Sequence, residues 1–362
     1  MTRIRIHLFL LLVISHWVSP VQAAHVEERN GLRVAYLEGR PYELGYQHGQ
    51  LLQREVQRSV AQILRYFRTY LKIPLLNNLA ANLWLDVVWR RAQTSIPEDY
   101  REELRGLADG SGVPLKELWR LHAIPDRTYA CSSLAAWSRA TRDGRLVHSR
   151  NLDWNIDVGI QRYATVFVVR PMGKRAFVSV GWAGFVGVLT GINEEAISIG
   201  QIGAETVETT WRGLPMTFLL RRILEEAEDL TQAVSIIRDA PRTVGINYVI
   251  ADAQAPEAVV VETTAHDVAV FQADYPNEHA VSYARPIPDA VFRADTAMDP
   301  QIRDRQIASK GDPRKKGLEP PGGSAYEVRY LGQADGILAH YGQITPELAR
   351  EIAQEVAPSS NV

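Results

Sequence analysis

At Cys131 the spacing of apolar residues changes, and that change limits the chain to a fold with helices first and sheet afterwards. Upstream, Leu52, Val56, Val60, Ile63, Leu64, Phe67 and Leu71 recur every three or four residues, while Arg54, Arg58, Arg65 and Arg68 fall mainly elsewhere on the wheel. This spacing predicts a long amphipathic helix. An apolar, Trp-bearing stretch covers 79–89, and Ser95-Ile96-Pro97-Glu98 predicts another helix start with Ser95 as its cap. Downstream, short apolar runs at 131–140, 146–153, 164–170, 176–180, 186–190 and 196–202 are separated by turn residues, which predicts antiparallel strands. Helical spacing returns over 214–237, strands over 248–251 and 258–262, and Thr345-Pro346-Glu347 opens a last helix. The charged, Gly- and Pro-rich stretch 311–323 reads as a mobile loop. An α+β fold with two stacked sheets between helical layers is expected.

Gly45 and Gly49 lie four apart in an otherwise helical segment. They share a face, so a second backbone is expected to approach there. Each costs roughly 1 kcal/mol of helix propensity relative to Ala.

The first residues read as an export signal. Arg3 and Arg5 precede an apolar run over 7–14 that is too short to span a bilayer, and Val21-Gln22-Ala23 supplies a cleavage site. The expected organisation is a signal peptide over 1–23, a helical segment over 24–130 and a catalytic domain over 131–362, in a secreted or periplasmic protein. The formal net charge of −2 gives no electrostatic reason to expect nucleic acid. The basic, aromatic region 51–89 suits peripheral membrane contact.

One cysteine in an exported chain cannot build a disulfide framework, and a lone thiol outside the cytosol is an oxidation liability. Cys131 therefore reads as a nucleophile. Asp143-Gly144 between two apolar runs signals a hairpin. With those two residues as the turn centre, Cys131 lies opposite residue 156, or one or two earlier if the turn carries a bulge. Asp153 then falls within roughly 10 Å of the thiol, at about 3.3 Å per residue of offset, and Arg150 comes close as well. A thiol attacks as its thiolate and needs a base or a cationic neighbour. His148 lies across the hairpin on an undetermined face. The other available base is the α-amine of Cys131 itself, whose reference pKa near 8 suits proton transfer. Using it requires a cut between Ala130 and Cys131.

Cys131-Ser132-Ser133, the hairpin and Arg150-Asn151-Leu152-Asp153 resemble the nucleophile segment of the N-terminal-nucleophile (Ntn) cysteine hydrolases. That group includes penicillin acyltransferase-like proteins, choloylglycine hydrolases, acid ceramidase and N-acylethanolamine acid amidase. Ser149 stands where those families carry Gly. The stretch from Trp182 to Gly191 is similar to the ceramidase and amidase pattern, and Gly191-Ile192-Asn193-Glu194 to the choloylglycine and acyltransferase branch. The Gly39/Gly45/Gly49 segment is similar to the acyltransferase branch.

The resemblance implies a four-layer αββα sandwich. It implies Cys131 as nucleophile and base, partnered by Arg150 and Asp153, with no cofactor and no metal. It implies an autoproteolytic amidase acting on linear N-acyl amides, lipid amides among them; the two chains are expected to stay together because the N-terminal helices bury their apolar faces against the rest. An acyltransferase using the same thioester and a catalytically impaired acyl- or lipid-binding relative are the alternatives. Two family oxyanion donors are missing. Ala297 stands where the family carries Asn in a Thr-Asn pair, and no Asn follows the strand over 196–202. Asn247 and Gln201 are the candidate replacements, and Arg329 matches a family Arg only loosely. Losing one oxyanion donor costs about 10²–10³ in rate.

Overall fold

The computed structural model describes residues 24–70, 77–124, 130–153, 158–204, 206–275, 278, 284–306 and 325–356. The expected signal peptide and the 311–323 loop lie outside the described residues.

Two sheets face each other. The larger has nine strands: β1 (His25–Arg29), β2 (Leu32–Gly39), β5 (Ala164–Pro171), β6 (Phe177–Trp182), β7 (Thr190–Asn193), β8 (Ile197–Gly203), β9 (Ile246–Asp252), β10 (Glu257–Thr263) and β11 (Val268–Gln272), neighbours in that order. Every pairing is antiparallel except β2 with β5. The smaller sheet runs β12 (Ala290–Arg293), β3 (Ala130–Ala136) and β4 (Val147–Asp153). β3 lies over β8 and β9, and β12 over β9 and β10. On the far side of the large sheet pack α6 (Met216–Glu226) and α7 (Leu230–Asp239). On the far side of the small sheet pack α9 (Ala325–Ala339) and α10 (Pro346–Glu355). The layers are therefore helix, sheet, sheet, helix, as expected. β9 is buried at every position, because a strand covered on both faces has no solvent side to alternate with.

The segment 24–130 is mostly helical, but where one short strand was expected before the first helix it has two. Its first two strands form a hairpin through Asn30 and Gly31, both at positive φ (51° and 77°), the backbone a type I′ turn demands. That hairpin joins the large sheet through β2. The helices α1 (Pro41–Leu51), α2 (Gln53–Tyr70), α3 (Asn77–Ala92), α4 (Glu98–Ser111) and α5 (Leu115–His122) follow. α2 buries Val56, Val60, Ile63 and Leu64, the stripe read from its spacing. Ser95 does not cap α4: its hydroxyl donates to the Arg212 carbonyl at 2.7 Å, and the helix begins at Glu98 behind Pro97. The run 186–190 is not a strand; β7 begins only at Thr190.

Gly45 and Gly49 meet α4, where Gly106 and Gly110 repeat the same spacing. A Cβ on Gly45 would lie 1.8 Å from the Glu103 carbonyl oxygen, and one on Gly106 would lie 2.0 Å from that of Tyr42. The two backbones touch, and no side chain fits between them.

Ion pairs and hydrogen bonds tie this segment to the rest. Arg221 of α6 pairs with Glu103 of α4 at 2.6 Å and with Glu225 at 2.7 Å, and Tyr100 donates to Glu225 at 2.9 Å. All four residues are buried. His48 Nε2 accepts the Gly184 N–H and His122 Nε2 accepts the Val186 N–H, both at 3.0 Å.

Candidate active site

Cys131 sits opposite Leu152, four positions before residue 156. The hairpin reading is corrected here. Asp143-Gly144 is indeed a local turn, with the Asp143 carboxylate accepting the Arg145 N–H and Gly144 at φ 75°. The connection, however, spans 137–146 and includes a 3₁₀ turn over Ser138–Ala140. Trp137 N–H donates to Asp289 and Arg142 N–H to Ile344, so distant segments hold the loop open. A shift of four is even, and the side chains keep their faces. Leu152, Arg150 and His148 therefore share the Cys131 side of the small sheet, and Asp153 lies on the other.

The thiol is fully buried. Arg150 Nη2 donates to Sγ at 3.1 Å, and Gln201 Nε2 lies 3.9 Å away. Arg150 is braced by its Nε, which donates to the Gln201 carbonyl at 3.2 Å. Gly200 makes room for that stem, since a Cβ there would sit 3.0 Å from Arg150 Cγ and 2.8 Å from Ser133 Oγ. Burial pushes the Cys131 thiol up, and the Arg150 charge opposes it. The Asp295 carboxylate adds to the rise, while the Asp153 backbone N–H lowers it.

Asp153 is near the thiol but turned from it. Its carboxylate accepts from Asn151 Nδ2 at 2.6 Å and from Arg329 Nη2. Arg329 also donates through Nη1 to Asp295 at 2.6 Å, and the other Asp295 oxygen accepts the Cys131 backbone N–H at 3.0 Å. Arg329, matched only loosely by sequence, thus bridges two carboxylates. Asp295 was missed. It stands beside Ala297 in the segment read for its oxyanion residues, and a contact across 164 residues leaves no local signal.

The two oxyanion candidates separate. Gln201 reaches the thiol, and its Oε1 has no partner. Asn247 does not serve in this arrangement, because its Nδ2 is shared between the Ala294 and Thr296 carbonyls at 3.2 Å each. Its unpartnered atom is Oδ1, an acceptor, which repels an oxyanion. The Ala297 N–H is also taken, by Gln306 Oε1 at 2.9 Å. His148 is held between Ser133 Oγ at 3.0 Å and Ser198 Oγ at 2.8 Å. Burial, with the Arg150 charge adding to it, lowers His148 to about 4, so the ring is neutral and occupied. Among the described residues no cluster of His, Cys, Asp and Glu is arranged to hold a metal.

Residues 140–283 match the family model for acyl-coenzyme A:6-aminopenicillanic acid acyl-transferase. The chain is 28% identical over 282 residues to protein dcd1B of Dictyostelium discoideum, covering 73% of this chain and 56% of that one. It is 26% identical to acid ceramidase of Rattus norvegicus, covering 46% and 48%. It is 23% identical to N-acylethanolamine-hydrolyzing acid amidase of the same animal, covering 48% and 49%. The match thus spans about half the length of each of these relatives. The solved Caenorhabditis elegans ortholog of that amidase superposes with a TM-score of 0.44 at 16% identity, covering 61% of this chain and 85% of that one. In sequence the chain is thus similar to proteins of the Ntn hydrolase superfamily.

Proposed function

We propose that this chain is an exported amidase that activates itself by cutting the Ala130–Cys131 bond and then hydrolyses N-acyl amides through a Cys131 thioester. The observation that carries the reading is that one buried site holds both reactive atoms of Cys131, its sulfur on Arg150 and its nitrogen on Asp295. In activation, Sγ adds to the Ala130 carbonyl carbon, the bond to the Cys131 nitrogen breaks, and the thiol proton ends on that nitrogen. Water then hydrolyses the thioester, leaving residues 24–130 and 131–362 as separate chains and Cys131 with a free thiol and α-amine. In turnover the amine takes the thiol proton and passes it to the leaving amine of the substrate. The names of the amidase and ceramidase relatives support acyl amides of lipid character as substrates.

Gln201 is the side-chain donor available for the oxyanion, and with Ala297 in place of Asn it predicts slow activation. Export rests on the Arg-flanked apolar run over 7–14 and on Val21-Gln22-Ala23. The α2 stripe is spent on the core, so any membrane contact falls to Leu79 and Leu83, exposed at i and i+4 on α3. The acyltransferase match favours a second reading, in which an added amine replaces water as the acceptor.

Purified protein and Cys131→Ala are compared by denaturing electrophoresis, peptide mass mapping and a panel of fluorogenic N-acyl amides, with and without an amine acceptor. Two chains and amide turnover are expected for the wild type only. An intact, active wild type whose Cys131 still carries Ala130 overturns the proposal.

A further inference from the structure

β12 pairs with β3 in a register that sets Ala290 against Ala136 and Arg293 against Ser133. Extended two residues, the same register sets residue 295 against Cys131. In a continued ladder the Cys131 N–H would meet a backbone carbonyl from β12. The ladder stops short instead. Asn247 claims the Ala294 and Thr296 carbonyls, and Gln306 Nε2 claims the Asp295 carbonyl at 3.1 Å. Glu262 fixes the far side of the turn by accepting the Met298 N–H at 2.7 Å and the Asp299 N–H at 2.8 Å. With the backbone drawn away, the Asp295 side chain fills the vacated position and takes the Cys131 N–H.

A neutral carbonyl satisfies an amide N–H, so the amide alone does not call for a charge there. Placing a carboxylate in a buried site costs desolvation that an ordinary ladder bond avoids. Arg329 offsets part of that cost from the other oxygen of Asp295. Beyond its pairing with Arg329, the charge acts on the nitrogen opposite it once that nitrogen acquires a charge.

We propose that Asp295 is a catalytic residue that receives the Cys131 nitrogen as it changes from amide to amine, stabilises its protonated form and sets its basicity. This rests on the self-cleavage reading above. The C–N bond breaks, the thiol proton arrives on nitrogen, and Asp295 accepts a hydrogen bond from the nitrogen before and after. Asp153, on the other face and two bonds away through Arg329, acts as a positioning residue for Asp295.

The chain has one cysteine, so ¹³C,¹⁵N-cysteine labelling gives one set of signals at the atoms in question. Wild type, Asp295→Asn, Asp295→Glu and Asp153→Asn are titrated by NMR. Loss of the carboxylate removes a partner of the ammonium, so Asp295→Asn is expected to lower the α-amine pKa by about one unit, a tenfold change in proton affinity. Asp295→Glu keeps the charge, and its titration is expected to stay near that of the wild type. Should Asp295→Asn not fold, a Glu variant titrating about one unit from wild type overturns the assignment. An Asp295→Asn curve that overlays the wild type, or a larger shift in Asp153→Asn, overturns it too. A wild type that stays one chain overturns self-cleavage instead. The Cys131 amide proton then tests the contact: an upfield move in Asp295→Asn supports it, and an unchanged position removes it.

Discussion

Replacing Gly45 with Ala should destabilise the protein even though Ala is the better helix former. The new Cβ would lie 1.8 Å from the Glu103 carbonyl oxygen, whereas a carbon and a carbonyl oxygen settle at about 3.3 Å or more. The helices α1 and α4 must part by about 1.5 Å at that point. Overpacking of this kind costs about 3 kcal/mol, and the propensity gain returns about 1 kcal/mol. A net loss of about 2 kcal/mol is expected, a sizeable share of a stability of about 5–15 kcal/mol. Gly106→Ala should cost about as much, since its Cβ would meet the Tyr42 carbonyl oxygen at 2.0 Å. Because the helices need part only once, the double variant should cost clearly less than the sum of the two. Gly181→Ala is the control: its nearest neighbour is Phe167 at 3.8 Å, and its change should stay within about 0.5 kcal/mol. Urea denaturation gives all four values. Neutral behaviour of Gly45→Ala, or strict additivity of the pair, refutes the claim that the two backbones are in contact.

Two further expectations follow from the buried charges. Burial, aided by the charges of His122 and Arg221, lowers His48 to about 3. Burial also lowers His122, to about 4, against the Leu118 carbonyl. The unfolded chain therefore takes up these protons first as pH falls below about 6.5, and stability should drop by about 1.4 kcal/mol per pH unit for each histidine until the folded values are reached. Urea midpoints between pH 7.5 and 5 should show this slope reduced in His48→Gln, and an unchanged slope would refute the assignment. For the thiol, Arg150→Ala leaves burial and the Asp295 charge opposed only by the Asp153 backbone N–H, so the thiolate limb of the activity profile should move to higher pH and turnover fall at least about tenfold. Arg150→Lys should restore part of the shift, and an unmoved limb would reduce Arg150 to a scaffold residue.

The parts of this molecule legible in its sequence are those set by local pattern. The α2 stripe, the Gly45 and Gly49 contact face and the adjacency of β3 and β4 each follow from spacing within a few dozen residues. The hairpin register was not legible, because Asp289 and Ile344 determine the length of the loop between those strands. The partner helix of Gly45 went unread although Gly106 and Gly110 repeat its spacing. The β1–β2 hairpin carried an Asn-Gly signal that a reading with one short strand near residue 30 passed over. Asp295 reaches Cys131 from 164 residues beyond it and Arg329 reaches Asp153 from 176 residues beyond it, distances at which only folding decides who meets whom.

The Arg221 cluster bears on what a cut at residue 130 would leave behind. The covalent break would fall at the buried Cys131, while the seam between the two products would run through the interior. It would pass between β2 and β5 and through an ion pair with Arg221 on one product and Glu103 on the other. Parting the products would strand unpaired charges in a dry core and open a sheet edge, so the upstream piece cannot be shed like a propeptide. The core between the upstream helices and the large sheet would be divided between the products, while the core between the two sheets would stay whole in the downstream one. If the cut is made, the pair would be assembled as a single chain and would persist afterwards as a relic of that folding event: mixing separately made halves should not rebuild it.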